Sequence, residues 1–386
     1  MACGKNNTFS TELGLYIHLP FCSSLCPYCD FPVRPFSSAS ARELLKALYR
    51  HLPRVVASAG GRPLDHLYLG GGTPSMLPAA ELAGLVEAVG GLLPLAPEAE
   101  VTIEANPGTL SLRKLTLLRR AGFNRLSLGA QSFDPGLLRV LGRRHSFSYT
   151  RRAAREARAA GFANLSLDLI YGLPGQNARR AETDILAALE LAPDHLSLYE
   201  LTLGPGTPFG RAYRKGRLPL PDDDDLAVWE ERALALIEAA GLARYEVSNF
   251  ARPGFECRHN LSTWRGGDYL ALGPGAHGHL AGRRWAWLAE VEEYAQALKQ
   301  GREPLAFVEE LTPAQRVLEL VMLGLRTVEG VDLDAVARLL GADPLTAWAG
   351  EIQRARELDW ARVAAGRLAP TVRGLGMADA VVALFI

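Results

Sequence analysis

The chain has 386 residues, 48% of them hydrophobic, with 42 basic and 42 acidic side chains and a pI near 7.1. That length supports one large domain and a smaller one, and the balanced charge gives no ground for a polyanion partner. No apolar run reaches the roughly 18 residues of a membrane span, and the start, MACGKNNTFSTEL, has no signal-peptide core, so the expected location is cytoplasmic.

The first strand is predicted at GLYIHLP (14–20). Five more short apolar or alternating runs follow at 65–71, 100–106, 125–131, 165–172 and 195–202, each ending near Gly, Pro or Asn. Runs with apolar residues three and four apart predict helices between them, at 41–52, 79–93, 111–122, 149–161 and 179–192. A sixth, 224–241, follows the sixth strand; Asp222 to Asp225 read as its acidic cap. This alternation predicts an α/β fold with parallel strands and helical crossovers. Six units suggest a partial (β/α)6 TIM-type barrel, with a doubly wound open sheet as the competing architecture. Arg151, Arg152, Arg155 and Arg158 fall on one helix and read as an exposed basic face.

The barrel is expected over residues 1–245. Residues 246–304 break the rhythm. They are rich in Gly, His, Trp and Tyr and read as loops with short strands, a cap or linker. Residues 305–386 turn helical, with a small hairpin around Ala365-Gly366 and a last helix, an order like that of a winged-helix module. That module holds eight Arg and no Lys against 11 acids, so nucleic-acid binding is not expected.

Three of the five cysteines lie in FCSSLCPYC: Cys22, Cys26 and Cys29, just past the first strand. Structural zinc takes four protein ligands, and catalytic zinc three plus water. Three thiolates with no fourth suit a [4Fe–4S] cluster that leaves one iron open. Cys3 and Cys257 stand alone and read as free thiols.

The chain resembles the radical S-adenosylmethionine (SAM) superfamily. More narrowly, it resembles the group of oxygen-independent coproporphyrinogen III dehydrogenases and their heme-chaperone relatives. LYIHLPFC, CPYCDF, YLGGGTPS, IEANPGT, RLSLGAQSF, DLIYGLPGQ, YEVSNFARPG, CRHN and GPGAHG carry the likeness along most of the sequence. The resemblance implies a cluster on Cys22, Cys26 and Cys29 whose open iron chelates SAM, and a radical SAM barrel with a helical C-terminal domain. It implies SAM contacts at Tyr16, Tyr28, Gly71, Gly72, Thr73 and Glu104. It also implies a second group, Gln131, Arg143 and Asp168, which meets a second SAM in the dehydrogenase. The residues alone also allow an internal ion pair between Arg143 and Asp168.

Three features bear on the chaperone branch. The dehydrogenase pattern adds a cysteine two places after the third, where Phe31 stands here, and it carries a long extension where only fifteen residues precede Tyr16. The chaperone segment His-Asn-x-x-Tyr-Trp is matched by residues 259–264, except that Thr263 replaces the tyrosine. The expected function is heme binding and transfer to an acceptor heme protein, including a membrane-bound respiratory heme enzyme. Coproporphyrinogen dehydrogenation, or another radical SAM reaction, is the alternative. His259 is the first candidate for the heme ligand, with His277 and His279 behind it. Heme is expected near the C-terminal strand ends or under residues 255–280, in a monomer or dimer.

Overall fold

A computed structural model describes residues 12–386. Six strands lie side by side in chain order: β1 (Leu13–Leu19), β2 (Leu64–Gly71), β3 (Leu95–Ala105), β4 (Arg125–Gln131), β5 (Asn164–Tyr171) and β6 (His195–Glu200). Every neighbouring pair among them is parallel. Helices α1 (Ser38–Ala57), α2 (Ala79–Leu92), α3 (Leu112–Arg120), α4 (Phe147–Ala159) and α5 (Ala178–Leu189) form the crossovers. A sixth, α6 (Asp223–Ala239), follows β6, with Asp222 capping it by accepting from Asp225 N at 2.8 Å.

Strand side chains alternate between two faces. One face of β1 carries Leu13, Leu15, Ile17 and Leu19, all fully buried under the helices. The other face carries Gly14, Tyr16 and His18 and looks into the barrel. The same division in β2 to β6 lines the interior with polar groups: His66, Tyr68, Glu100, Glu104, Arg125, Ser127, Asp168, His195 and Ser197. The expected partial barrel is therefore present, greasy outside and polar within.

The sheet does not stop at β6. On that side β7 (Asn249–Ala251) joins antiparallel. On the other, β8 (Asp268–Leu272) runs parallel to β1, and β9 (His277–Leu280), β10 (Arg283–Trp287) and β11 (Leu305–Glu310) continue it antiparallel to one another. The sheet reaches twelve strands. Strands within residues 249–310 thus extend both sheet edges.

A separate hydrophobic core begins at Val317 and ends at Phe385. It packs α8 (Pro313–Gly324) and α9 (Leu333–Leu340) against a hairpin of β12 (Ala361–Ala364) and β13 (Arg367–Pro370). Ala365 and Gly366 both take positive φ, 50° and 73°, as a two-residue hairpin turn requires. Two short helices, Val372–Gly376 and Ala378–Val382, stand where one was expected. No helix among the described residues is long and apolar enough to cross a membrane.

Candidate cluster and cofactor site

Parallel strands put all their C-terminal ends at one mouth, where such folds place their sites. The three cysteines lie there. A short strand, Phe21–Cys22, pairs with Arg34–Pro35 and pins the base of a loop. Arg34 N donates to Pro20 O at 2.7 Å, and Phe36 N to Cys22 O at 2.8 Å. Within the loop, Cys29 N donates to Cys26 O at 3.2 Å. His18, buried in β1, fastens the far side: its ring lies 3.2 Å from Pro32 O and 3.0 Å from the Tyr16 hydroxyl.

All three cysteines are free, half-buried thiols. Burial pushes the thiols of Cys22 and Cys29 up, and the Thr73 hydroxyl, 3.7 Å from Cys22 Sγ, partly offsets this at Cys22. Thiolates in such surroundings need a compensating positive charge, which metal ligation supplies. Structural zinc would take a fourth protein donor beside these three thiols. A cubane gives each thiolate its own corner. The donor set therefore fits a [4Fe–4S] cluster better than zinc.

Below the loop lies a cavity of about 360 Å³, lined by Cys22, Cys26, Cys29 and by the ends of β2 to β6. That volume falls in the range of small-molecule pockets, roughly 300–1,000 Å³. Gly71 and Gly72 sit on its wall. Gly71 takes φ 107°, and a Cβ at Gly72 would stand 2.7 Å from Phe21 O and 2.8 Å from Phe21 N. Only glycine lets β2 and the cluster loop approach this closely. Glu104, at the end of β3, accepts from the Tyr68 hydroxyl at 2.8 Å and from Gly71 N at 3.1 Å. Burial raises its carboxyl to about 7. A cationic ligand beside it would hold it ionised. The glycine cradle and this carboxyl together fit the amino-acid end of SAM.

Tyr28, Gln131, Arg143 and Asp168 also line the cavity. Gln131 holds a left-handed φ of 66°, strained for a side-chain-bearing residue, which turns the chain at the strand end. Arg143 and Asp168 do not pair. Arg143 donates to the Tyr28 hydroxyl at 2.6 Å, and its Nε is buried without a partner. Asp168 accepts from Ser127 at 3.0 Å, from Ser197 at 2.9 Å and from Ser166 at 3.4 Å. The inward positions of three adjacent strands satisfy this carboxylate, so no arginine is required.

His259 lies at the opposite end. It belongs to the first turn of α7 (Arg258–Trp264), which docks against the N-terminal ends of the strands. Arg258 donates to Glu98 O and to Glu12, while Cys257 N and the His195 ring share the Tyr245 hydroxyl. The His259 ring stacks on Tyr16 and Tyr68, with centroids 5.8 Å and 4.8 Å away, and meets His66 at 3.2 Å. Burial lowers its pKa to about 4. Cys257 is buried in the same floor, 3.6 Å from Glu100, and its thiol is pushed up to about 12 by burial. His277 is different: it is exposed at the start of β9, next to the Gly273–Ala276 turn that packs on Pro32 of the cluster loop. His279 holds Gly267 O at 3.0 Å. Cys3 lies outside the described residues.

Asn260 of the 259–264 segment also lines the cavity, as do Tyr68, Arg125, Ser127, Ser197 and Tyr199, which the sequence analysis does not single out. The signal for most of them was alternation along the strands.

The sequence model of the Radical SAM superfamily matches residues 16–188, and that of the HemN C-terminal domain matches residues 311–375. The heme chaperone HemW of Bacillus subtilis is 38% identical over 84% of this chain and 86% of its own. HemW of Mycobacterium tuberculosis is 40% identical over 96% and 93%. Among solved structures, the Escherichia coli coproporphyrinogen III oxidase HemN, described as a radical SAM enzyme, superposes with a TM-score of 0.82 at 23% identity, over 98% of this chain and 92% of its own.

Proposed function

The chain belongs to the radical SAM superfamily and, within it, to the family of the HemW heme chaperones; from that premise we propose that it binds heme and hands it to acceptor heme proteins. The cofactors of the family are a [4Fe–4S] cluster and SAM. When bound, the cluster supplies one electron and an open iron that SAM chelates. Cys22, Cys26 and Cys29 hold the cluster in this reading. Gly71, Gly72 and Thr73 receive the amino-acid end of SAM, with Glu104 facing its ammonium and Tyr28 bounding the pocket; Tyr16, expected to touch SAM, does not line the cavity and packs beneath it against His18 and His259. Gln131, Arg143 and Asp168 stand on the far wall as a second polar subsite.

The observation that carries the chaperone reading is Phe31. It stands where the dehydrogenase pattern repeats a cysteine, and it is 66% exposed on the rim of the cavity. Leu25, on the same loop, is 55% exposed. Apolar side chains presented at a mouth suit a flat apolar macrocycle. The axial donor is drawn from His259 and His277. Geometry favours His277, because it is exposed at the cluster-loop end, whereas the half-buried His259 ring is stacked on Tyr16 and Tyr68 and meets His66. The free thiols of the cluster loop call for a reducing compartment, which supports the cytoplasm. The acceptor in this reading includes a membrane-bound respiratory heme enzyme.

The test is anaerobic reconstitution followed by parallel titration with heme and with coproporphyrinogen III. Stoichiometric heme binding without porphyrinogen turnover is expected. Conversion to protoporphyrinogen with no stoichiometric heme binding would defeat the proposal. Loss of heme binding in His259→Ala but not in His277→Ala would move the donor to the barrel floor.

A further inference from the structure

Charge is spread unevenly along this neutral chain. Residues 112–180 hold 14 Lys and Arg against three Asp and Glu. This stretch forms α3, β4, α4, β5, the start of α5 and the loops between them; Arg125, Arg143 and Asp168 face the interior, and most of the other charges lie outside. Helices α3 and α4 pack side by side, and Arg180 at the start of α5 pairs with Asp134 in the loop beyond β4 at 3.1 Å. Arg151 of α4 reaches Glu190 at the end of α5 at 2.8 Å, so the three helices stand in sequence along one side of the barrel.

The direction of the helices decides where the charge collects. In a βα unit the helix begins where its strand ends, so the first turns of α3, α4 and α5 stand at the mouth. None of the three has an acid in its first turn, whereas α6 has Asp223, Asp224 and Asp225 there. Their N-terminal dipoles add to the positive potential. Several arginines of the wall are already engaged: Arg151 with Glu190, Arg158 with Asp194, Arg143 with Tyr28. Arg113, Arg139 and Arg179 are exposed on the mouth side, and their guanidinium groups have no ion-pair or hydrogen-bond partner among the described residues.

Apolar side chains stand at the same level. Leu112 is 45% exposed, Val140 40%, Phe147 40% and Tyr149 41%. Arg151 and Arg152 lie over the Phe147 and Tyr149 rings, 5.9 Å and 4.8 Å from their centroids. The rim continues onto the cluster loop, because Gly142 abuts Pro27, and Leu25 and Phe31 are exposed beyond it. An acidic protein would be met by the charges alone. Arginines interleaved with exposed aliphatic and aromatic groups fit a headgroup layer, which offers phosphates outside and acyl chain just beneath.

We propose that the mouth-side rim of α3, α4 and α5 is a docking surface for an anionic phospholipid bilayer. The α3–α4 side of the mouth then lies against the membrane with the exposed Leu25 and Phe31 beside it, while the acidic start of α6, Asp222 to Asp225, stays on the solvent side. This proposal stands apart from the heme reading, because bilayer binding is measured without heme.

The test uses the full chain with its cluster and two sets of vesicles: phosphatidylcholine alone, and phosphatidylcholine with about one-third phosphatidylglycerol. Co-sedimentation at low salt should favour the anionic vesicles at least tenfold, and half-molar salt should abolish the preference. The triple variant Arg113→Gln, Arg139→Gln, Arg179→Gln should lose about a hundredfold in partitioning, at about one kcal/mol per charge near the surface. Phe147→Ser with Val140→Ser should weaken binding at unchanged salt dependence. Iron content and melting temperature check that each variant is folded; none of these residues lines the cavity. Equal binding to both vesicle types, or a triple variant that sediments like the parent, overturns the proposal. So does capture of the parent by a soluble acidic polymer as tightly as by anionic vesicles.

Discussion

Glu104 shows what a cofactor site demands of one side chain. Its carboxyl titrates near 7 instead of 4.5, because burial outweighs the bonds from Tyr68 and Gly71. A carboxyl raised in the native state binds its proton more tightly there than in the unfolded chain. Its contribution to the stability of the cofactor-free protein therefore falls as pH rises from 4.5 toward 7, and the loss is complete above that. The shift corresponds to about 3 kcal/mol. Glu104→Gln should then raise the melting temperature of the cofactor-free protein at pH 8 and leave it unchanged at pH 4. The same substitution should weaken SAM binding at least tenfold, the worth of one charge-assisted bond. Parental SAM affinity should fall as pH drops below about 7. Calorimetric titration and melting curves across pH check all three; a variant with parental SAM affinity would remove Glu104 from the site. At the cluster, Cys26→Ala should abolish the visible iron–sulfur absorbance, and unchanged iron and sulfide content would contradict the ligand set. Glu104 and the cysteines were legible because each stands at a strand end inside a distinctive string. Tyr68 and Arg125 were not, because an inward residue in the middle of a strand carries the same alternating pattern as any core position.

At the scale of elements, the six βα units could be read from periodicity, since each strand and helix satisfies its own pattern locally. The strands within 246–310 could not. Their pairing is set by distant partners, as β8 depends on the register Tyr16↔Ala271 with β1, and β9 is only four residues long. Glycines in this fold have opposite meanings that only packing reveals. A Cβ at Gly72 would press on the backbone of Phe21, whereas one at Gly91 in α2 would meet nothing within 4 Å. Gly72→Ala should force β2 and the cluster loop apart, at least halving iron content and weakening SAM binding about tenfold. Gly91→Ala should stabilise the protein by about 0.5–1 kcal/mol, the ordinary helical preference for alanine. Iron assay, SAM titration and thermal melts on the pair separate close approach from propensity. Equal behaviour of the two variants would show that the loop does not need the gap.

At the scale of the molecule, two hydrophobic cores must act as one, and Tyr245 stands at their junction. Its hydroxyl lies 2.8 Å from the His195 ring and accepts from Cys257 N at 3.3 Å, which fixes α7 under the barrel. Its backbone carbonyl accepts from Val328 N at 3.1 Å, and Val247 N donates to Arg326 O at 2.9 Å, so the same segment grips the C-terminal module. Glu246 and Thr327 form a bridge between them. His195 is neutral, its pKa held well below the usual value by burial, and its other nitrogen is taken by Ser166 at 2.8 Å. Tyr245→Phe keeps the ring and the backbone bonds but strands two buried polar groups, His195 Nε2 and Cys257 N. Each unsatisfied group costs about 1–3 kcal/mol. The barrel transition should therefore fall by several degrees while the C-terminal module, whose core touches neither group, keeps its own stability. Calorimetry should show one endotherm for the parent and a split or broadened one for the variant. A parental endotherm in Tyr245→Phe would mean that the floor holds α7 without this hydroxyl, and that the two cores are joined through the backbone pairing alone.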